Sequence, residues 1–298
     1  MFTKSLFAAA LLAAISAQAA PLSYKTHAAS AQLNCTKVPE EPQPRCHTLE
    51  IAYPQTGDKT LDAWALKLTQ DFTQDFIGTK DLSSKGLQKT WAKSEEVIET
   101  NKSNQNLEKG ESPCFLQSIH TIELEGQTPQ YAVFGMEDWE YTCGAHGNGE
   151  HELVIMKRGV AKPKAVELKD ILLPKQKAKL VALQKEGYIK YLQQSAEYSA
   201  QDARAYVDEY NSEGFKGTDN WRFAKGGLVF LFQSYEIGAY ALGRPEIFLS
   251  NQQLKGIIKP EILREAAQYQ VSPEILRKEK EWRDAEAAAK KEQQKQAK

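Results

Sequence analysis

The sequence has no excess of either charge. It carries 38 lysines and arginines against 39 aspartates and glutamates, a formal net charge of −1 over 298 residues. A protein that neutralises phosphates needs a basic field, so nucleic acid is excluded as the expected partner. After the first twenty residues there is also no apolar run of the roughly 20 residues that a membrane-spanning helix needs. Signatures of catalysis are missing too. No serine sits in a G-x-S-x-G context, and neither H-E-x-x-H nor a zinc-finger spacing occurs. No fixed-period repeat is present. An enzyme is therefore not expected, and neither a cofactor nor a metal ion is required.

Cysteine is scarce, with four in all: Cys35, Cys46, Cys114 and Cys143. Their meaning depends on the compartment. Lys4 supplies a charged start, Leu6 to Ile15 a short apolar stretch, and Ala17-Gln18-Ala19 a small-x-small cleavage site. This is the pattern of a secretory signal peptide over residues 1–19, which predicts a periplasmic or secreted mature protein cut near Ala19. In an oxidising compartment an even cysteine count favours two disulfides, with three connectivities possible. Pairing by proximity favours Cys35–Cys46 and Cys114–Cys143.

What is present is a densely apolar stretch from Trp221 to Ile258. Leu228 to Phe232 is apolar on both alternating faces, as in a strand covered on two sides. The loop that follows, SYEIGAYALG, presents Tyr235, Glu236 and Tyr240 among glycines. Tyrosines bury large area while keeping a polar end, so this loop is the expected partner-binding surface. The alternative for each of these side chains is a local one, with Tyr235 filling the core edge and Glu236 tying the loop backbone.

The rest of the chain divides as follows. Residues 20–46 read as an extended lead-in. Residues 47–112 read as a small N-terminal α/β region, with a strand at His47–Tyr53 and a helix at Leu61–Ile77. In that helix Leu61, Trp64, Ala65, Leu68, Phe72 and Phe76 share one face. Asp58 or Thr60 caps it and Gly78 stops it. A second helix is expected over Leu82–Glu99. Residues 113–270 form the main domain, opening with strands over Cys114–Leu124, Gln130–Met136, Trp139–Cys143 and Glu152–Lys157. Helices follow over Pro174–Ser195 and Gln201–Tyr210. Residues 271–298 are a charged helical or disordered tail. The class is α+β, with a mainly antiparallel sheet and helices packed on one side.

The segment CGAHGNGEHE holds Cys143, His146, Glu150, His151 and Glu152, all metal-ligand types, and so raises a metal-dependent hydrolase built on His146 and His151. The spacing fits no known zinc pattern, and a disulfide would remove the thiolate. The simpler reading places His146 in a turn, hydrogen-bonded beside the loop. The neighbouring acids Glu137-Asp138 and Glu95-Glu96 read as solvated surface charges.

Two segments taken together resemble a known family. One is Tyr141-Thr142-Cys143-Gly144-Ala145-His146 with the VELKDIL stretch after it. The other is Trp221-Arg222-Phe223, then GLVFLFQSYEIGAYALG and Leu254-Lys255-Gly256-Ile257-Ile258. Their order is similar to the RsiV-like C-terminal domain, the extracytoplasmic part of an anti-sigma factor, also found beside polysaccharide deacetylases. The likeness covers Cys114 to Ile258. Cys143 stands where the family has glycine, Gln233-Ser234 where it has Asn-Pro, and Gly238-Ala239 where it has Ala-Pro. The resemblance implies binding of c-type lysozyme through an exposed surface including His146, Tyr235, Glu236 and Tyr240, without the transmembrane and sigma-binding parts. A peptidoglycan- or glycan-binding module is the alternative.

Overall fold

The computed structural model describes residues 20–37, 43–108, 111–278 and 280–281. The signal-peptide segment 1–19 and the tail beyond 281 lie outside the described residues. Two sheets organise the chain. The large one comprises β1 (Lys25–Thr36), β2 (Arg45–Gln55), β3 (Gln117–Gln127), β4 (Tyr131–Tyr141) and β5 (Asn148–Lys157), hydrogen-bonded in that order. All neighbours are antiparallel except β2 and β3, which run parallel. A parallel pair needs a long crossover. Here it consists of α1 (Lys59–Ile77), α2 (Ser84–Trp91) and α3 (Glu95–Gln105). The result is an α+β protein with a mostly antiparallel sheet.

These three helices lie on one face of the large sheet. Asp58 accepts from the backbone N–H groups of Thr60 and Leu61 and starts α1, and Gly78 ends it at φ 79°. Leu61 and Ala65 of α1 are buried against Ile122, Leu124, Phe134 and Val154 of the sheet. The single helix expected over Leu82–Glu99 is two, because Ser94 caps α3 and accepts from Val97 N–H just after α2 closes. Leu87, Trp91 and Val97 still share one core with Leu49 and Ile51 of β2. The strands expected separately at Gln130–Met136 and Trp139–Cys143 are one, since β4 stays paired to both neighbours through Glu137 and Asp138. Half of the lead-in is itself a strand: β1 pairs along most of β2.

The second sheet is β6 (Trp221–Ala224), β7 (Gly227–Leu231) and β8 (Glu246–Ser250). It packs with α5 (Lys177–Ser195), α6 (Ala200–Tyr210) and α8 (Pro260–Ala267), while α4 (Leu168–Ile171) and α7 (Asn251–Leu254) are single turns. Every side chain of β7 is buried, as expected of its two apolar faces. This core also takes in Val133 of β4 and Ile155 of β5, so the second unit covers the other face of the large sheet at that end. A two-residue strand, β9 (Gln270–Val271), returns to pair with the end of β3.

Both cysteine pairs are bonded. Cys35–Cys46 ties β1 to β2, and Cys114–Cys143 ties the approach to β3 to the end of β4. The second bridge closes 29 residues of chain and fixes Cys143 at a left-handed φ of 70°. Replacing both Cys114 and Cys143 by serine is expected to cost about 2–4 kcal/mol, because the unfolded chain regains that loop's freedom. Denaturant unfolding of the double variant beside the wild type measures it; a loss under 1 kcal/mol would contradict the assignment.

Candidate functional site

The site grows from the join between the two sheets. β5 is the last strand of the large sheet, and its outer edge would leave backbone groups unpaired. Two side-chain amides from the second unit occupy that edge. Gln233, just after β7, accepts from His151 N–H at 3.0 Å and donates to His151 C=O at 2.8 Å. Asn220, just before β6, also donates to His151 C=O and accepts from Leu153 N–H, both at 2.8 Å. The amides thus replace a neighbouring strand and set where the loop after β7 starts.

The imidazole of His151 is held as firmly as its backbone. Nδ1 lies 2.9 Å from a Glu137 oxygen and Nε2 lies 3.1 Å from a Glu125 oxygen. Both partners only accept, so both ring nitrogens carry protons. Arg244 donates to Glu137 at 2.6 and 2.8 Å, and Arg222 donates to Glu246 at 2.8 Å. Arg222 also lies 3.5 Å from Glu125, an ionic contact without a formed hydrogen bond. The chain Glu246–Arg222–Glu125–His151–Glu137–Arg244 therefore alternates in sign and crosses from one sheet to the other. Gly135 makes room for it, because a Cβ there would overlap the Glu125 carboxylate. Glu137, read from the sequence as a solvated charge, is half-buried and serves this network.

The loop after β7 folds over His146. The His146 ring stacks on Tyr240 with centroids 3.8 Å apart. Its Nδ1–H donates to Gly147 C=O at 3.0 Å, and its Nε2 lies 3.0 Å from the Tyr235 hydroxyl. A carbonyl only accepts, so in the neutral ring Nε2 is the acceptor for Tyr235 O–H. Tyr240 O–H donates to the same Gly147 carbonyl at 3.1 Å. Tyr235 sits at φ 66°, a conformation that side-chain-bearing residues seldom adopt. Tyr210 O–H holds it by donating to its carbonyl at 3.2 Å, yet the residue remains 51% exposed. The Glu236 carboxylate accepts from Gln233 N–H at 2.7 Å, closing its own loop. Burial, opposed by that hydrogen bond and helped by nearby Glu150, holds its pKa above the usual carboxylate range.

The four sequence-selected residues thus meet unequally. His146, Tyr235 and Tyr240 form one aromatic cluster, while Glu236, at the surface, bonds back to the backbone of its own loop. His146 and His151, paired in the hydrolase reading, belong to different networks, and Cys143 is in a disulfide. Among the described residues no three His, Cys, Asp or Glu side chains converge to hold a metal ion.

Beside the cluster an open groove of about 550 Å³ lies where β3 begins, β4 ends and β5 begins. Its lining includes Trp139, His146 and Tyr235, together with Asp138, Glu140 and Glu150. Trp139 packs over Gly147, where any Cβ would strike its ring. Sequence reasoning missed Trp139 and Gln233. Alternation along Trp139–Cys143 marked a strand, but nothing local indicates that its end meets a loop some ninety residues later.

The His151 network makes a pH prediction. Burial alone would lower the pKa of His151, but its hydrogen bonds to Glu125 and Glu137 outweigh this and raise it to about 9. A raised folded-state pKa stabilises fully below the unfolded value near 6.5, and the stabilisation is lost as pH rises through the folded value. Stability should fall by on the order of 3 kcal/mol between about pH 6.5 and 9.5. His151→Gln should be less stable at pH 6.5 and nearly flat over that window. Urea unfolding at several pH values tests both, and an equal slope in the two proteins would refute the assignment.

No curated protein matches this chain. Solved structures share its fold, among them these two. One is a DUF3298 family protein from Pseudomonas aeruginosa PAO1, at a TM-score of 0.55 and 18% identity. The other is a member of the same family from Bacteroides fragilis NCTC 9343, at 0.58 and 18%. Each comparison covers 82% of this chain and 97% of the other. Residues 169–252, which include Tyr235, Glu236 and Tyr240, match the model of the family described as protein of unknown function (DUF3298).

Proposed function

We propose that this chain is an exported, non-catalytic binding protein of the cell envelope whose Tyr235–Tyr240 loop docks a basic protein partner. The observation that carries this reading is the loop itself. It holds a half-exposed tyrosine in a left-handed conformation, beside a groove whose charged lining is acidic. Holding a non-glycine residue there costs of order 1 kcal/mol or more, and such strain clusters at functional segments. Rigid tyrosines supply contact area at small entropic cost, and complementary charge speeds encounter.

Export is supported by the two disulfides, which persist in oxidising compartments. No helix among the described residues is long and apolar enough to cross a membrane. The identity of the partner comes from the sequence resemblance to the RsiV-like domain, which makes c-type lysozyme or a related muramidase the first one to test. That enzyme is basic, and occluding its cleft would protect the wall.

A second reading, direct binding of wall glycan, is favoured by one observation. Trp139 and Tyr235 line the same open groove, and aromatic faces there could stack on sugar rings.

Calorimetry of the protein with c-type lysozyme, alongside a muramidase assay, tests the first reading. Tyr235→Ala is expected to weaken binding by about tenfold or more, as loss of a central interface tyrosine does. Its exposed ring contributes little to the core, so its melting temperature should barely move. Absence of binding and of inhibition by the wild type would remove lysozyme as the partner, and retention on purified sacculi without the enzyme would favour glycan.

A further inference from the structure

The groove beside the loop has a chemical bias that the loop alone does not explain. β4 places Asp138 and Glu140 on the face that carries α1, and β5 places Glu150 directly opposite Asp138. Side chains directly opposite are about 5 Å apart at Cβ, and like charges in that position destabilise a sheet. His120 donates to Asp138. Among the described residues, neither Glu140 nor Glu150 has an ion-pair partner, and no lysine or arginine lines the groove. The mutual pressure reaches further: burial and the nearness of Glu140 raise the pKa of Glu96 on α3.

A second, independent feature points into the same space. Ser118 of β3 lies directly opposite Glu140 and lines the groove. It is only 3% exposed, and its hydroxyl oxygen has no hydrogen-bond partner. A buried hydroxyl left unpaired costs free energy that a ligand donor would recover. Close by, Phe72 of α1 stacks on His120 with centroids 3.9 Å apart and also lines the groove. An aromatic ring, a row of carboxylates and an unfilled hydroxyl acceptor together suit a flat organic cation. The carboxylates are spread along two strands and do not converge on a point, which suits a guanidinium fork better than a metal ion.

We propose that this groove receives an arginine side chain of the protein partner, its guanidinium held among Asp138, Glu140 and Glu150, bonded to the Ser118 hydroxyl and lying against Phe72. The proposal rests on the reading of the chain as a protein-binding module, and it specifies which group of the partner is recognised. Electrostatic complementarity of this kind fixes register as well as encounter, so the Tyr235 loop would meet the partner at a set distance from one arginine.

The test uses the tripeptide Gly-Arg-Gly and its citrulline counterpart, which keeps the shape and removes the charge. Binding is followed by NMR shifts and by indole fluorescence, with Trp139→Phe assigning the signal. The arginine peptide should bind at least about tenfold more tightly than the citrulline peptide, a difference of about 1.4 kcal/mol. Glu140→Gln combined with Glu150→Gln should abolish that preference. The same pair should leave the melting temperature unchanged or raised, because it relieves like-charge repulsion. Ser118→Ala should weaken the arginine peptide several-fold. Equal binding of arginine and citrulline peptides, or an unchanged preference in the double variant, would overturn the proposal. Spermidine binding as tightly as the arginine peptide would instead make this a polyamine site and overturn the assignment to a protein side chain. Lysozyme bound equally by wild type and double variant would reject the arginine groove while leaving the proposed function standing. Arginine-peptide binding without lysozyme binding would do the reverse.

Discussion

The structure depends on how a strand edge is closed. β5 ends the large sheet with backbone groups that need partners, and the second unit supplies them from two side-chain amides, Asn220 and Gln233. Both amides converge on His151, whose imidazolium sits between Glu125 and Glu137. Backbone satisfaction and charge alternation thus act on the same residue. An unpaired buried charge is far more costly than a paired one, so each member of the network constrains its neighbours. The arrangement fixes one unit relative to the other without a continuous sheet between them.

That join explains why the aromatic loop is placed where it is. Gln233 is both the clamp on His151 and the first residue of the loop, and Arg244, just after the loop, is tied to Glu137 of the same network. The loop is therefore anchored at both ends to the ion chain. Between those anchors Tyr235 and Tyr240 close on His146, which arrives from the turn between β4 and β5. A rigid support beneath an exposed aromatic surface is what preorganised recognition needs, since little ordering entropy remains to be lost on binding. The acidic groove runs along the same strand ends and is lined in part by His146 and Tyr235, so aromatic surface and negative charge adjoin.

Much of the fold was legible from local pattern. The Asp58 cap and Gly78 stop of α1 are short-range features and fold as read. Its fully buried line, however, runs through Leu61, Ala65, Thr69, Thr73 and Ile77, with Trp64, Leu68, Phe72 and Phe76 of the expected stripe only partly buried beside it. The two-faced apolar run of β7 announced an interior strand. Boundaries were less legible where two weak signals compete. Ser94 splits a helix because its hydroxyl caps the next turn, while Glu137 and Asp138 stay in β4 because cross-strand pairing outweighs their polarity. The parallel pairing of β2 with β3 had no local sign, since it depends on how the intervening helices cross the sheet.

For the site the division is sharper. By itself the sequence determined the residue types: tyrosines and glycines in one loop, a histidine among glycines in another, four cysteines, and no catalytic motif. Tertiary structure alone decided which of these act together. It put His146 against Tyr235 and Tyr240 but gave His151, five residues on, to two carboxylates, the buried Glu125 and the half-buried Glu137. It turned Glu236 back onto its own loop and made Asp138, Glu140 and Glu150 neighbours across strands. The physical reason is alternation and register. Adjacent residues on a strand face opposite sides, and which residue lies opposite is set by pairing between segments distant in the chain.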